Sequence, residues 1–338
     1  MIQTLWIWLQ FGVCAALITV AGCLLSRYGD VIADKTGLSG NWIGLVLLAT
    51  VTSLPELMTG ISSVTIAEQP NIAVGNIFGS CVFNLAILIL LDIFHRQESV
   101  FSRASQGHIL SAAFGVVLLG FGAQAILLAD KLDALAFGHV GFYAPVIILL
   151  YVVAVRSVYV YEHSQIQVAV ERDAERYPHM TLRQAMVRGG TAAAVVVGGG
   201  IWLPFLGTRI ADVMGWNRTF VGTLFIASAT SLPEFVVSIG AMRIGALDMA
   251  ISNLLGSNLF NIVVLAVNDL FYREGPLLFA VAPIHVVSAV SASMMSGMVI
   301  VGLLYRPHAR VFRTVGWPSL GLFAIYVINT VVLYFYGE

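Results

Sequence analysis

The chain has 338 residues, of which 59% are hydrophobic and only 10% are charged, whereas soluble domains carry about 25% charged residues. A mean hydropathy of +0.90 therefore indicates a polytopic all-α protein in a lipid bilayer. The formal net charge of −1 and the dispersed basic residues argue against a nucleic-acid partner.

Stretches of about 20 mostly apolar residues, the length that a helix needs to cross a bilayer, recur along the chain. They predict ten transmembrane helices, at residues 4–25, 42–67, 72–93, 109–128, 142–161, 191–213, 220–243, 247–270, 278–304 and 315–336. The least apolar segment falls between the fifth and the sixth helix. We therefore expect a first five-helix repeat at residues 1–163, a cytoplasmic linker at 164–188 and a second five-helix repeat at 189–338.

Lys and Arg are enriched in cytoplasmic loops, and their distribution orients the predicted helices. With the linker in the cytoplasm, 13 of the 17 basic residues fall on the cytoplasmic side and four, Lys131, Arg209, Arg218 and Arg273, fall on the other. This predicts that both termini lie outside the cytoplasm, and we expect the protein in the plasma (inner) membrane. Because five crossings is an odd number, the second repeat is predicted to be inverted relative to the first.

Two short motifs occur once in each half of the chain. Residues 52–56 read Thr-Ser-Leu-Pro-Glu, and the same five residues return at 230–234. Residues 79–84 read Gly-Ser-Cys-Val-Phe-Asn and are echoed by Gly-Ser-Asn-Leu-Phe-Asn at 256–261. The first motif repeats after 178 positions and the second after 177, so the two halves differ by one residue over this stretch.

The glutamate of the first motif, Glu56 or Glu234, lies within an apolar helix, where a charged side chain costs at least ~2.5–3.5 kcal/mol on insertion scales. No basic residue lies in the apolar parts of the second, third, seventh or eighth predicted helices. The preceding Pro55 and Pro233 each leave one backbone carbonyl without its helical donor, which membranes tolerate beside protein or a wet cavity. A shared polar site is therefore favoured. The alternative is a pair of permanently protonated glutamates that act only as hydrogen-bond donors.

Hydroxyl and amide side chains surround the glutamates at helical spacing, for example one turn before each glutamate. All of these groups are oxygen ligands, without a His or a paired thiolate, which suits hard cations such as Ca²⁺ and Na⁺. The candidate side-chain ligands are Glu56, Glu234, Asn84, Asn261, Thr52, Ser53, Ser80, Thr230, Ser231 and Ser257. Asn76 and Asn253 are interpreted as packing or capping residues, and Asp248 and Asp269 as interfacial residues.

The four motif segments resemble the repeats of the cation/calcium antiporter superfamily, specifically its sodium/calcium exchanger branch. That pattern is Gly-Thr-Ser-Leu-Pro-Glu followed by Gly-Ser-x-x-x-Asn or -Asp in each half, and the match covers residues 41–93 and 219–270. The resemblance implies a transporter, not an enzyme, that exports Ca²⁺ in exchange for Na⁺ by alternating access. Both ions would be bound as transported substrates, without a cofactor, and the first and sixth helices would slide over a fixed core.

The resemblance also implies individual roles and raises two departures. Glu56 and Glu234 would be the central Ca²⁺ ligands, and the backbone carbonyls of Ala49 and Ala227 would contribute mainly to Na⁺ binding. The family glycine before Thr-Ser is replaced in both copies, by Val51 and Ala229.

Several alternatives stay open at this point. With Asn at both positions of the second motif, the site has only two full charges, which argues against the potassium-dependent branch. The proton/calcium branch usually shows Gly-Asn-x-x-Glu, yet an H⁺-coupled Ca²⁺ exchanger remains the main alternative. An intramembrane enzyme is less favoured, because no Ser–His pair, Asp–Asp pair or His cluster occurs at depth. A passive cation channel is also less favoured, and counter-transport would distinguish an exchanger from it. We expect the protein to function as a monomer.

Overall fold

The computed structural model describes residues 2–36, 48–95, 98–132, 136–166, 179–307, 310–311 and 314–337, and most of these are helical. The helices are α1 (Ile2–Thr36), α2 (Leu54–Thr65), α3 (Pro70–Phe94), α4 (Val100–Arg103), α5 (His108–Leu127), α6 (Ala129–Leu132), α7 (Tyr143–Ile166), α8 (Leu182–Met214), α9 (Arg218–Phe220), α10 (Ala227–Thr230), α11 (Leu232–Arg243), α12 (Leu247–Phe271), α13 (His285–Tyr305) and α14 (Trp317–Tyr336). A π-helix (Val221–Ile226) joins α9 to α10, and a 3₁₀ turn (Leu277–Phe279) precedes α13. Strands β1 (Arg310–Val311) and β2 (Val315–Gly316) pair in antiparallel orientation before α14.

Eight helices in the described ranges are long and apolar enough to cross a membrane: α1, α3, α5, α7, α8, α12, α13 and α14. A ninth candidate is a bent pair, residues 218–230 and α11, whose two parts meet at 43°. The predicted second span corresponds to a helical stretch at residues 48–52 followed by α2, but residues 42–47 lie outside the described part. The all-helical membrane fold is confirmed, and the count of ten spans stays a prediction.

Helices extend into both described ends of the predicted linker. Helix α7 continues to Ile166 and α8 already begins at Leu182, while residues 167–178 lie outside the described ranges. The early start of α8 has a local cause, because Thr181 and Gln184 form a capping box. The Thr181 hydroxyl accepts from the Gln184 amide at 3.2 Å, and the Gln184 side chain accepts from the Thr181 amide at 3.1 Å.

Helices α3 and α12 form the centre of the molecule. They are buried over 67% and 72% of their apolar windows, whereas the figure for α7 and α14 is 22%. Helix α3 packs against α2, α12 and the π-helix, and α12 packs in turn against α2 and α11. The helices that carry the two motifs therefore meet at the core, and the outer helices present apolar side chains to the surroundings.

Helices α1 and α8 pack along each other and cross the motif helices at glycines. A Cβ on Gly22 of α1 would lie 2.6 Å from the Pro233 ring, and one on Gly200 of α8 would lie 2.8 Å from the Met58 Cβ. Small residues at such crossings let membrane helices approach closely. The α1–α8 pair thus lies directly against the second halves of both motif helices.

Asp92, at the end of α3, is fully buried and forms hydrogen bonds to the beginning of α14, a helix of the other half. Its carboxylate accepts hydrogen bonds from the Val100 amide at 2.9 Å, the Gly316 amide at 2.6 Å and the Ser319 hydroxyl at 2.7 Å. The first contact links the end of α3 to the beginning of α4. The other two hold the beginning of α14.

Asp269, at the end of α12, makes the corresponding contacts 177 positions later. Its buried carboxylate accepts from the Leu277 amide at 2.7 Å, the Gly141 amide at 2.8 Å and the Tyr143 hydroxyl. Like Asp92, it binds the amide eight residues further along and the beginning of a helix from the other half, here α7. The Asp269 side chain is 0% exposed, so these contacts hold it inside the protein near the helix end.

We predict that Asp92→Ala and Asp269→Ala each lower the thermal unfolding temperature of the detergent-solubilised protein. Each substitution leaves buried backbone donors unpaired, at a cost of about 1–3 kcal/mol per group. Asp212→Ala is the matched control, because the Asp212 side chain is 57% exposed and its ion pair with Arg218 is of a kind that contributes little to stability. Unfolding temperatures equal to that of Asp212→Ala would contradict the assignment.

Candidate cation site

Both Thr-Ser-Leu-Pro-Glu copies break their helix at the serine. The backbone angles are φ −87° and ψ 12° at Ser53, and φ −89° and ψ 4° at Ser231, so the two copies have almost the same local structure. Each serine is the N-cap of the helix that follows, and Pro55 or Pro233 occupies the first turn of that helix. A proline is tolerated there because its missing N–H is not needed by the helix. The glutamate lies immediately after this break.

The Glu56 carboxylate is held from both halves of the chain. Its Oε1 accepts a hydrogen bond from the Ser231 hydroxyl at 2.9 Å and another from the Ser80 hydroxyl at 3.3 Å. Ser80 belongs to α3 in the same half, whereas Ser231 belongs to the motif of the other half. The Glu56 side chain is 0% exposed.

The Glu234 carboxylate repeats this arrangement with the halves exchanged. Its Oε1 accepts from the Ser53 hydroxyl at 3.1 Å and from the Ser257 hydroxyl at 3.4 Å. Contacts that are reciprocated in this way are typical of two units related by a two-fold axis. The predicted pairing of the motifs therefore appears as hydrogen bonds between residues that are 175 and 181 positions apart.

The two motif threonines extend the cluster and contact two asparagines that the sequence suggests only as packing or capping residues. Thr52 Oγ1 lies 3.4 Å from Asn253 Oδ1, and Thr230 Oγ1 lies 3.0 Å from Asn76 Oδ1. Both asparagines are fully buried. The sequence does contain a sign of their importance: the two asparagines are 177 positions apart, which is also the spacing between the two copies of the second motif.

Glycines allow the central helices to approach the motif helices. A Cβ on Gly79 would lie 2.3 Å from the Thr223 carbonyl oxygen and 2.8 Å from the Ala227 Cβ, and one on Gly256 would lie 3.0 Å from the Ala49 Cβ. The alanine carbonyls lie inside the cluster as well. Each accepts from the motif serine amide four residues later, at 3.1 Å in the first half and 3.0 Å in the second.

Four buried side-chain oxygens of the predicted ligands have no hydrogen-bond partner in the part of the chain that the structure describes. They are Glu56 Oε2, Glu234 Oε2, Asn84 Oδ1 and Asn261 Oδ1. Within the same ranges, no Lys or Arg forms an ion pair with either glutamate. Buried polar groups without partners are costly, and those that persist in native proteins call for an explanation such as a bound ion. The oxygens are thus available to a cation.

The chain matches the model of one protein family over most of its length. The model of the sodium/calcium exchanger protein family matches residues 6–169 and 190–335. The chain belongs to this family. The predicted membership of the cation/calcium antiporter superfamily, in its sodium/calcium exchanger branch, is confirmed, and members of the family are transporters.

Individual exchangers are similar to the chain in sequence or in fold. The chain is 26% identical over 277 residues to the sodium/calcium exchanger MaX1 of Methanosarcina acetivorans, a match that spans 73% of this chain and 77% of that protein. Its fold is similar to that of the H⁺/Ca²⁺ exchanger CAX, with a TM-score of 0.69, 14% identity and coverage of 98% and 86%. It is also similar to the sodium-calcium exchanger NCX_Mj soaked with 10 mM Na⁺ and zero Ca²⁺, with a TM-score of 0.63, 20% identity and coverage of 97% and 99%.

We predict that Gly79→Ala destabilises this exchanger by forcing α3 away from the helix that carries Thr223. The added methyl group would meet backbone at 2.3 Å, and overpacking of this kind typically costs about 1–3 kcal/mol. Gly198→Ala is the matched control, because a Cβ on that membrane-helix glycine has nothing within 4 Å. Thermal unfolding in detergent measures both variants, and equal unfolding temperatures would argue against the close approach.

Proposed function

We propose that this exchanger exports Ca²⁺ in exchange for Na⁺ at the buried cluster around Glu56 and Glu234. The observation that carries the proposal is the set of unpartnered oxygens on these glutamates and on Asn84 and Asn261. Two carboxylates supply a charge of −2, which balances one Ca²⁺ or attracts Na⁺. Since the cluster has no basic partner in the described ranges, a transported cation is the group that best compensates this charge.

The donor set around the glutamates fits both ions. Ca²⁺ takes 6–8 oxygen ligands from carboxylates, carbonyls and amides. We assign the side chains as ligands as predicted: Glu56, Glu234, Asn84, Asn261, Thr52, Ser53, Ser80, Thr230, Ser231 and Ser257. Ion binding competes with the hydrogen bonds that the hydroxyl groups make to the carboxylates, so these hydroxyls turn their lone pairs to the ion when it arrives.

The backbone carbonyls of Ala49 and Ala227 are assigned mainly to Na⁺. In the conformation described, the Thr52 hydroxyl lies 3.2 Å from the Ala49 oxygen and the Thr230 hydroxyl lies 3.2 Å from the Ala227 oxygen. A hydroxyl can rotate about its C–O bond. When each threonine hydroxyl turns, it and the neighbouring carbonyl together offer two oxygens to one Na⁺.

Exchange requires that the site open to one side of the membrane at a time. We propose that α1 and α8 slide over the core formed by the other helices, as the family resemblance implies. The position of these two helices against the motif helices supports this assignment. Gly22 and Gly200 lie at these crossings, where small residues let the sliding helices stay in close contact with the core.

The reciprocal hydrogen bonds of Glu56 and Glu234 support an inverted two-repeat architecture with ten spans. On this basis we assign residues 1–163 and 189–338 to the repeats and residues 164–188 to a cytoplasmic linker. Both termini lie outside the cytoplasm, and the protein is a monomer in the plasma (inner) membrane. The cations enter and leave as substrates, without a cofactor.

The second candidate function is H⁺-coupled Ca²⁺ exchange. The similarity in fold to the H⁺/Ca²⁺ exchanger CAX favours it, and in that case a glutamate of the cluster carries the proton. The Thr-Ser-Leu-Pro-Glu motif, which resembles the sodium/calcium branch, favours Na⁺.

We predict that Glu56→Gln and Glu234→Gln each abolish Na⁺-gradient-dependent ⁴⁵Ca²⁺ uptake into proteoliposomes, because each removes half of the charge that balances Ca²⁺. Glu68→Gln is the matched control, since Glu68 is exposed and outside the cluster. Its uptake is expected to equal that of the unaltered protein. Retained uptake in both cluster variants would exclude the proposed site.

We predict that an imposed Na⁺ gradient alone drives Ca²⁺ uptake, and that a K⁺ gradient alone does not. Collapse of the pH gradient with a protonophore is expected to leave Na⁺-driven uptake unchanged. Uptake that persists without Na⁺ and disappears with the pH gradient would establish the H⁺-coupled alternative instead. Ca²⁺ flux without any counter-ion would indicate a passive channel.

A further inference from the structure

We infer that Asn258 is a positioning residue that fixes the orientation of the Asn84 amide, and that Cys81 leaves Asn261 without an equivalent partner. The inference rests on the proposed function, in which Asn84 and Asn261 are cation ligands. Cys81 and Asn258 occupy corresponding places in the two Gly-Ser-x-x-x-Asn segments, 177 positions apart. Both are buried, at 0% and 4% exposure.

A fixed backbone group determines the orientation of the Asn258 amide. Asn258 Nδ2 donates to the Cys81 backbone carbonyl at 3.1 Å. A carbonyl oxygen can only accept, so the NH₂ end of the Asn258 side chain must face it. The Oδ1 of Asn258 consequently faces the other way, where it is available as an acceptor.

The Asn84 amide is oriented in turn by this acceptor. Asn84 Nδ2 donates to Asn258 Oδ1 at 3.1 Å. Its own Oδ1 is therefore turned away from Asn258, and it is one of the buried oxygens without a hydrogen-bond partner. The two successive hydrogen bonds that begin at the Cys81 carbonyl thus orient Asn84 Oδ1 for cation binding before any ion arrives.

The other half lacks this chain of hydrogen bonds. The Cys81 thiol donates to the Asn258 backbone carbonyl at 3.8 Å, which mirrors the contact from Asn258, but a thiol is a weak donor and a weak acceptor. Among the described residues, neither Oδ1 nor Nδ2 of Asn261 has a hydrogen-bond partner of ordinary geometry, and the group that the Asn261 amide meets is the weakly bonding Cys81 thiol. Two amides at corresponding positions are therefore held unequally.

This difference has a consequence for cation affinity. Groups that orient a ligand typically contribute 10–100-fold to metal affinity, because an oriented ligand does not have to be ordered on binding. Asn258→Cys is the sharpest test, since cysteine already occupies the corresponding place in the first half. The expected result is a Kd for Ca²⁺ raised about 10–100-fold.

The test is equilibrium binding of ⁴⁵Ca²⁺ to the purified full-length protein in detergent. A double variant, Cys81→Asn with Asn258→Cys, transfers the oriented amide from Asn84 to Asn261 and is expected to restore the Kd to near that of the unaltered protein. A packing defect would not be repaired by this exchange. Thermal unfolding of every variant verifies that the proteins are folded.

A single variant tests the inference if Asn258→Cys does not fold. Cys81→Asn keeps Asn258 and gives Asn261 the partner that it lacks, so a lower Kd for Ca²⁺ is expected. An unchanged or raised Kd in Cys81→Asn would overturn the inference. So would an unchanged Kd in Asn258→Cys, or a double variant as weak as the single one.

The proposed function fails in a different way. If the unaltered protein binds no Ca²⁺, or if Glu56→Gln binds Ca²⁺ as tightly as the unaltered protein, the cation site itself is wrong. If the unaltered protein binds Ca²⁺ and Glu56→Gln does not, while Asn258→Cys keeps the original Kd, the site stands and only the positioning role of Asn258 is wrong.

Discussion

The structure depends on one constraint: two carboxyl groups are buried in an apolar molecule without a basic partner in the described ranges. Each is stabilised by hydroxyl groups on one oxygen, and the second oxygen is left open. The hydroxyl closest to Glu56 comes from Ser231, and the shortest contact of Glu234 comes from Ser53. Because each half supplies a donor for the acid of the other, neither half can form the cluster alone.

The helix breaks and the glycines position the serine hydroxyl groups next to the two glutamates. The break before Pro55 and Pro233 places Ser53 and Ser231 at a helix start, where each hydroxyl donates to the glutamate of the other half. Gly79 and Gly256 then bring α3 and α12 close enough for their serines to contact the same acids. Sequence positions that look unfavourable in a membrane helix, namely proline, glycine and glutamate, are therefore required together.

Much of this could be predicted from the sequence, because the motifs repeat and because residues four apart share a helix face. The meeting of the candidate residues followed from those two facts. The all-helical class followed from the apolar stretches, and the family from the resemblance of the motifs to a known pattern. The roles of Asn76, Asn253 and Asn258 did not, since each depends on contacts with residues far away in the chain. The contacts of Asp269 did not follow either: its hydrogen-bond partner Gly141 is 128 positions away, and hydropathy alone shows only that an acid lies near a helix end.

The difference between Cys81 and Asn258 also sets this chain apart from any assembly of two identical five-helix chains. In such a pair, the symmetry axis would place the same residue at both positions, so both amides would be held or neither would be. A single polypeptide that contains both halves is free of this restriction. Its cluster can be symmetric in the acids and hydroxyl groups while the two amides differ in rigidity. The Asn84 amide is then oriented before the ion arrives, and the Asn261 amide adapts to the ion.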